Sequence, residues 1–202
     1  MSHNNYNAKL FRNPPTMIDA GARYGDFAIP YFQKHGGRVI CIEPYQPSLK
    51  ILYGRGGFGF EVIEKALWTD DKGIQFYSWD QQTDANSCFH KNKKWEAEVL
   101  QVETIALDDI LETIEWVDLL KLDVEGSEFA VLEQSKLLES KVGQIVAELH
   151  YWRFDDVNYQ SISIEKLIEI LGEKNFHTPL AGMRNGFANI HATNKSLPDW
   201  DV

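Results

Sequence analysis

From residue 16 onward, short apolar runs alternate with amphipathic segments. Met17, Ile18, Ala20 and Ala22 form the first run, and an amphipathic segment follows with Phe27, Ile29, Tyr31 and Phe32. This predicts a strand over 16–22 and a helix over 25–35 that stops at Gly36-Gly37. Strands are expected again at 38–43 and 61–67, with a helix over 47–53 between them. Near-continuous apolar strands separated by helices imply parallel strands joined by right-handed crossovers. The rhythm then breaks. Residues 74–79 and 98–105 alternate with period two, as in an antiparallel ribbon, around a polar loop over 80–94. A helical turn is expected at 107–111. After it come a strand at 117–124, a helix at 127–138, a strand at 144–150 and a helix at 163–171. Two short strands, 176–180 and 187–193, flank a turn at 182–186 and should form a terminal hairpin.

This order gives an α/β fold: a single Rossmann-like doubly wound sheet of about seven mostly parallel strands, with a C-terminal antiparallel hairpin and an inserted β-ribbon. Residues 1–15 are polar, end in Asn13-Pro14-Pro15, and read as a loosely held arm; 16–202 read as one domain. The net charge is −10 with no basic block, which argues against nucleic acid or an anionic membrane as partner. No apolar run reaches the roughly 20 residues that span a bilayer, and no signal-peptide pattern is visible at the start. Cys41 and Cys88 make no disulfide framework, which suits a cytoplasmic, reducing setting.

In such sheets, ligands sit beyond the carboxyl ends of the strands, so the residues there carry the chemistry. The first strand ends in Asp19-x-Gly21-x-x-x-Gly25, whose glycines let the backbone bend sharply and approach a ligand. The spacing is neither the Gly-x-Gly-x-x-Gly of dinucleotide folds nor a P-loop. The second strand ends in Glu43, about 20 residues past the glycine turn, where a carboxylate can take a ribose diol. The later strands end in Ala66-Leu67, in Asp123-Val-Glu125 and in Glu148-Leu-His150.

Five segments, Met17 to Phe27, Val39 to Tyr45, Lys65 to Leu67, Ile105 to Ile110 and Leu120 to Glu128, occur in order with suitable gaps. Together they resemble the FkbM-type methyltransferases, a branch of the S-adenosylmethionine-dependent Rossmann-like enzymes, over residues 15–150. The family pattern has Gly-Ala-Asn-x-Gly in the first segment; here Arg23 stands in place of Asn. The resemblance implies S-adenosylmethionine as cofactor, cradled by the turn Gly21, Ala22, Arg23, Tyr24 and Gly25. It implies that Asp19 lines the methionine and ribose part and that Glu43 takes the ribose hydroxyls. Pro44 and Tyr45 would lie against the adenine, Ala66 and Leu67 on its other face, and Asp123 near the transferred methyl. It further implies O-methylation of a small acceptor such as a sugar, glycan or secondary metabolite.

An alcohol must lose its proton before it attacks, which asks for a general base. His150 is the first choice, since an imidazole near pKa ~6.5 suits the task. Asp123 and Glu125 are alternatives, although a carboxylate near pKa ~4 is a weak base unless burial raises it. A divalent metal, Mg²⁺ or Mn²⁺, on Asp123, Glu125, Glu148 and His150 is a third arrangement and is not favoured. Glu125 could instead cap the helix near Ser127. The 80–94 loop, with Asp84, Asn86, Ser87, His90 and Lys91, is a candidate substrate cover, and Trp79, Trp152 and Arg153 are candidate pocket walls. The competing reading is a catalytically inactive binding or scaffold protein that keeps the fold. A dehydrogenase fits less well, because its glycine fingerprint is missing.

Overall fold

The computed structural model describes residues 6–56, 59–78, 86–87, 98–150, 163–184 and 187–200, the side chains of 180–187 excepted. Trp79, Asp84, Cys88, His90, Lys91, Trp152 and Arg153 lie outside the described residues. No helix among those described is long and apolar enough to cross a membrane.

The first half runs β1 (Thr16–Ala20), α1 (Ala28–His35), β2 (Arg38–Ile42), α2 (Gln46–Gly54), β3 (Glu61–Ile63) and β4 (Ala66–Trp68). The ribbon is β5 (Ile74–Ser78) and β6 (Glu98–Val102), followed by β7 (Thr104–Ala106) and α3 (Leu107–Glu112). Then come β8 (Val117–Leu122), α4 (Glu128–Gln134), α5 (Leu138–Lys141), β9 (Val142–His150), α6 (Ile164–Glu173), β10 (Phe176–His177), β11 (Leu180–Arg184) and β12 (Phe187–Asn194). The main sheet has the order β10-β12-β9-β8-β1-β2-β3, with β11 also paired to β12. Its first five strands in sequence are parallel, and β12 is antiparallel to β9. The chain moves outward from β1 to β3 and returns to place β8 on β1's other side. The switch point between β1 and β8 is where such folds open a crevice.

Both faces of the sheet are covered, which is why its strands read as apolar throughout. Ile18, Ala20, Leu120 and Leu122 pack with Leu111, Phe129, Leu132 and Leu167 of the later helices. Met17, Val39, Cys41 and Leu119 pack with Ala28, Tyr31, Leu49 and Leu52 of α1 and α2. The alternation of side chains across each strand divides the two cores.

Four expectations change. The strand expected over 61–67 breaks at the polar pair Glu64-Lys65. Glu64 turns outward to accept from Tyr53 Oη and Gln46 Nε2, and Lys65 pairs with Glu103. The remainder, β4, leaves the main sheet and pairs parallel with β7. The helix expected over 127–138 is interrupted where Ser135 Oγ and Lys136 N donate to Asp108. The strand expected over 176–180 breaks at Pro179, which lacks a ladder donor, into β10 and β11. Finally, the arm is pinned from Tyr6 onward. Asn7 exchanges two hydrogen bonds with Gln144, and Asp118 accepts from Arg12 N and Thr16 N.

Candidate active site

A crevice opens at the carboxyl ends of β1, β2, β4 and β8. Gly21, Arg23, Glu43 and Pro44 form one side, and Asp123, Val124, Glu125 and Ser127 the other. Ala66, Leu67 and Trp68 close it below the ribbon, from which Ile74 and Phe76 contribute together with Asn86 of the 80–94 loop.

The turn after β1 is drawn across the end of β2, because Gly21 N and Ala22 N both donate to Ile42 O. Gly21 has φ +75°, and a Cβ there would stand 1.9 Å from the carbonyl oxygen of Asp123. The loops after β1 and β8 therefore meet only because residue 21 has no side chain. Arg23 adopts φ 49°, the left-handed region that asparagine tolerates better than arginine. Its guanidinium lies 4.4 Å over the Tyr24 ring. Its backbone N–H donates to Glu43 Oε2 at 2.9 Å, while Tyr45 N donates to Oε1 at 2.9 Å. Burial pushes the Glu43 carboxyl up to about 7 against the pull of these donors.

Asp19 does not line the crevice. It is fully buried, with Lys121 Nζ 3.0 Å from Oδ1 and Ala28 N, at the start of α1, donating to Oδ2. Lys121 Nζ also donates to Gly21 O at 2.9 Å. Burial alone would lower Lys121, yet Asp19 and Asp123 hold the ammonium above its ordinary value. This buried pair fixes the turn from behind. Ala22, Tyr24, Gly25 and Tyr45 likewise shape the loops without lining the crevice.

At the β8–β9 end, acids gather around one imidazole. His150 Nδ1 is 2.8 Å from Glu128 Oε1. Its Nε2 lies 3.7 Å from Glu125 Oε2, 3.8 Å from Glu148 Oε1 and 4.0 Å from Asp123 Oδ1. Glu148 and His150 share a face of β9 at a two-residue interval, as strand alternation requires. Burial would lower His150, but Glu128 first and then Glu125 and Asp123 raise it to about 9. Glu148 is pushed up to about 7 by burial and by the neighbouring acids. His150 is buried and stands behind Asp123 and Glu125, which do line the crevice.

Sequence reasoning passed over Glu128 and Lys121. Glu128, rather than Glu125, satisfies the turn before α4: its carboxylate accepts from Val124 N and Gly126 N as well as facing His150. Burial would raise it, and the His150 charge and these bonds hold it below the ordinary carboxylate value. The signal available was an acid opening a helix directly after a turn through Gly126. Glu125 instead takes φ 58°, and its carbonyl accepts from Ser87 Oγ at 2.7 Å. That bond ties one described residue of the 80–94 loop to the crevice rim.

The chain belongs to the FkbM methyltransferase domain family, which matches residues 19–177. Solved structures share its fold at low identity. The precorrin-6y C5,15-methyltransferase of Geobacter metallireducens GS-15 is 11% identical, with a TM-score of 0.51 over 89% of this chain and 80% of that one. The ribosomal protein L11 methylase of Lactobacillus delbrueckii subsp. bulgaricus is 14% identical, with a TM-score of 0.50 over 90% and 71%. The fibrillarin pre-rRNA processing protein of Methanococcus jannaschii is 12% identical, with a TM-score of 0.52 over 94% and 70%. No curated protein matches the sequence.

Proposed function

We propose that the protein is an S-adenosylmethionine-dependent O-methyltransferase acting on a hydroxyl of a small acceptor, such as a sugar, a glycan or a secondary metabolite. The observation that carries this reading is the meeting of Gly21, Glu43 and Asp123 in one crevice at the switch point. The residues fit the cofactor. Gly21 lets the loops after β1 and β8 close on each other at the crevice, Glu43 presents a carboxylate to a diol, and Pro44, Ala66 and Leu67 give apolar walls for a flat base. When bound, S-adenosylmethionine supplies an electrophilic methyl group on sulfur. The chain's own work is then to position the acceptor, exclude water and take the hydroxyl proton.

His150 is poorly suited to take that proton. Four carboxylates surround it, and Glu128 occupies its Nδ1, so the imidazole holds a proton of its own. A carboxylate of the group, Asp123 or Glu125 at the crevice surface, is better placed to accept it. The same acids repel phosphorylated or carboxylated acceptors and favour neutral polyols. Calorimetry with S-adenosylhomocysteine tests the reading, with micromolar binding expected for the native chain and loss of it in Glu43→Ala. Transfer of a labelled methyl to a panel of hydroxyl acceptors tests the chemistry. Absence of binding to either form of the cofactor would remove the proposal.

A further inference from the structure

Asn86 lines the crevice, and its carboxamide bonds to nothing else in the described fold. The residue is only 8% exposed, and neither Nδ2 nor Oδ1 has a hydrogen-bond partner among the described residues. We infer that Asn86 reads the base of the cofactor. Its carboxamide pairs with the edge of adenine that carries the exocyclic amine beside a ring nitrogen.

Three observations carry this. First, a buried amide with both its donor and its acceptor unpaired is costly, and a ligand that satisfies the two together removes the cost. Second, Asn86 is held firmly in place. Tyr77 N donates to Ser87 O at 2.7 Å, and Ser87 N donates to Tyr77 O at 3.0 Å. Ser87 Oγ donates to Glu125 O at 2.7 Å. The neighbour of Asn86 is thus tied to β5 on one side and to the loop after β8 on the other. The Tyr77–Ser87 bridge is antiparallel, so side-chain alternation sets Asn86 on the same side of the ribbon as Phe76. Third, the crevice around it suits a flat ring. Pro44, Ala66, Leu67, Ile74 and Phe76 are apolar, so a base among them needs polar partners only at its edge.

The chemistry of the pair is complementary. The adenine amine donates to Oδ1, and Nδ2 donates to the ring nitrogen beside it; asparagine reads adenine in the same way on the edge of a DNA base pair. Glu43 lines the same crevice and is the group offered to the ribose, so base and sugar would be recognised by different residues of one cleft. The identity of the ligand that brings the base rests on the methyltransferase reading. Asn86 does not touch the reacting atoms in this scheme; it selects and positions the nucleoside.

The test is calorimetry on the full chain with S-adenosylhomocysteine and with its analogue in which hydrogen replaces the adenine amine. The native chain should bind the first about 10-fold more tightly, in keeping with a bidentate contact to a base edge. Asn86→Ala should bind S-adenosylhomocysteine about 10-fold more weakly than the native chain and should no longer distinguish the two ligands. Asn86→Asp keeps the shape and the acceptor but loses the donor, and should weaken S-adenosylhomocysteine by a similar factor. Either variant carries the test should the other fail to fold. Native affinity in the folded variants, or an equal loss for both ligands, would overturn the assignment. Adenosine separates the two ideas. Binding of S-adenosylhomocysteine that is indifferent to residue 86 removes the base reader alone. Binding of adenosine that is lost in Asn86→Ala, with no binding of S-adenosylhomocysteine, keeps the base reader and removes the methyltransferase reading. Binding of neither by the native chain removes both.

Discussion

Glu43 and Glu148 are both acids at the carboxyl ends of strands, both largely buried, and both raised to about 7. Their surroundings are opposite. Glu43 is held by two backbone N–H groups, and burial, the largest influence, outweighs these donors. Glu148 has other acids as neighbours, which push in the same direction as burial. One end of the crevice is therefore a backbone cradle with a single carboxylate; the other is a knot of side chains from β8, β9 and α4. The cradle is suited to a fixed ligand recognised by shape, and the knot to handling charge and protons.

The contrast can be broken most severely at Gly21. Gly21→Val should cost about 3 kcal/mol or more, since the new side chain meets the Asp123 backbone and φ is unfavourable. Thermal denaturation with cofactor calorimetry would show both ends failing together. Next in size is Glu128→Ala, which strands Val124 N, Gly126 N and His150 in the interior. A loss of about 2–4 kcal/mol is expected in denaturant unfolding, with cofactor affinity reduced less than in any Gly21 variant that folds.

Glu43→Gln should separate the two ends. Losing a charged acceptor is worth about 1.5–3 kcal/mol, or roughly 10- to 100-fold in cofactor affinity by calorimetry. The acids around His150 should be undisturbed. The same residue gives a pH test. Its pKa rises from an ordinary 4.5 to about 7 on folding, so the stability it contributes is full below pH 4.5 and lost as pH climbs through 7. Cofactor affinity should run the other way, increasing between about pH 6 and pH 8 as the carboxylate ionises to accept hydroxyl hydrogen bonds. Both trends should flatten in Glu43→Gln. The smallest effect is expected at Arg23. Arg23→Asn should gain about 0.5 kcal/mol in thermal unfolding, because asparagine accepts φ 49° more readily.

The backbone cradle was legible in the sequence because its signals are local or evenly spaced. The glycine turn, the apolar run before it and the acid closing the next strand can each be read within a short window. The switch-point crevice followed from strand order alone. The knot was half legible. Asp123, Glu125, Glu148 and His150 were placed on one rim, but their registration depends on the β8–β9 pairing, in which Leu122 meets Ala147. Glu128 carried a local signal for its turn but none for facing His150, 22 positions on, and Lys121 gave no sign that it would reach Ala20 and Gly21, 100 or more positions back. The partner of Asp19 was unreadable for the same reason. An acid after an apolar strand gives no local sign that a lysine on the neighbouring strand will claim it. The break at Glu64-Lys65 shows the limit at the level of elements: two polar residues were enough to move β4 into a different sheet.

The ribbon has a consequence for divergence within the family. Among the described residues, β5 and β6 pair with each other and with no strand of the main sheet, yet β5 puts Ile74 and Phe76 into the crevice wall. Substitutions, or a longer excursion between the two strands, can reshape that wall without shifting the register of the eight strands beneath. A lineage can thus reshape one wall of the crevice by rewriting a detachable panel, while the sheet beneath it is inherited intact.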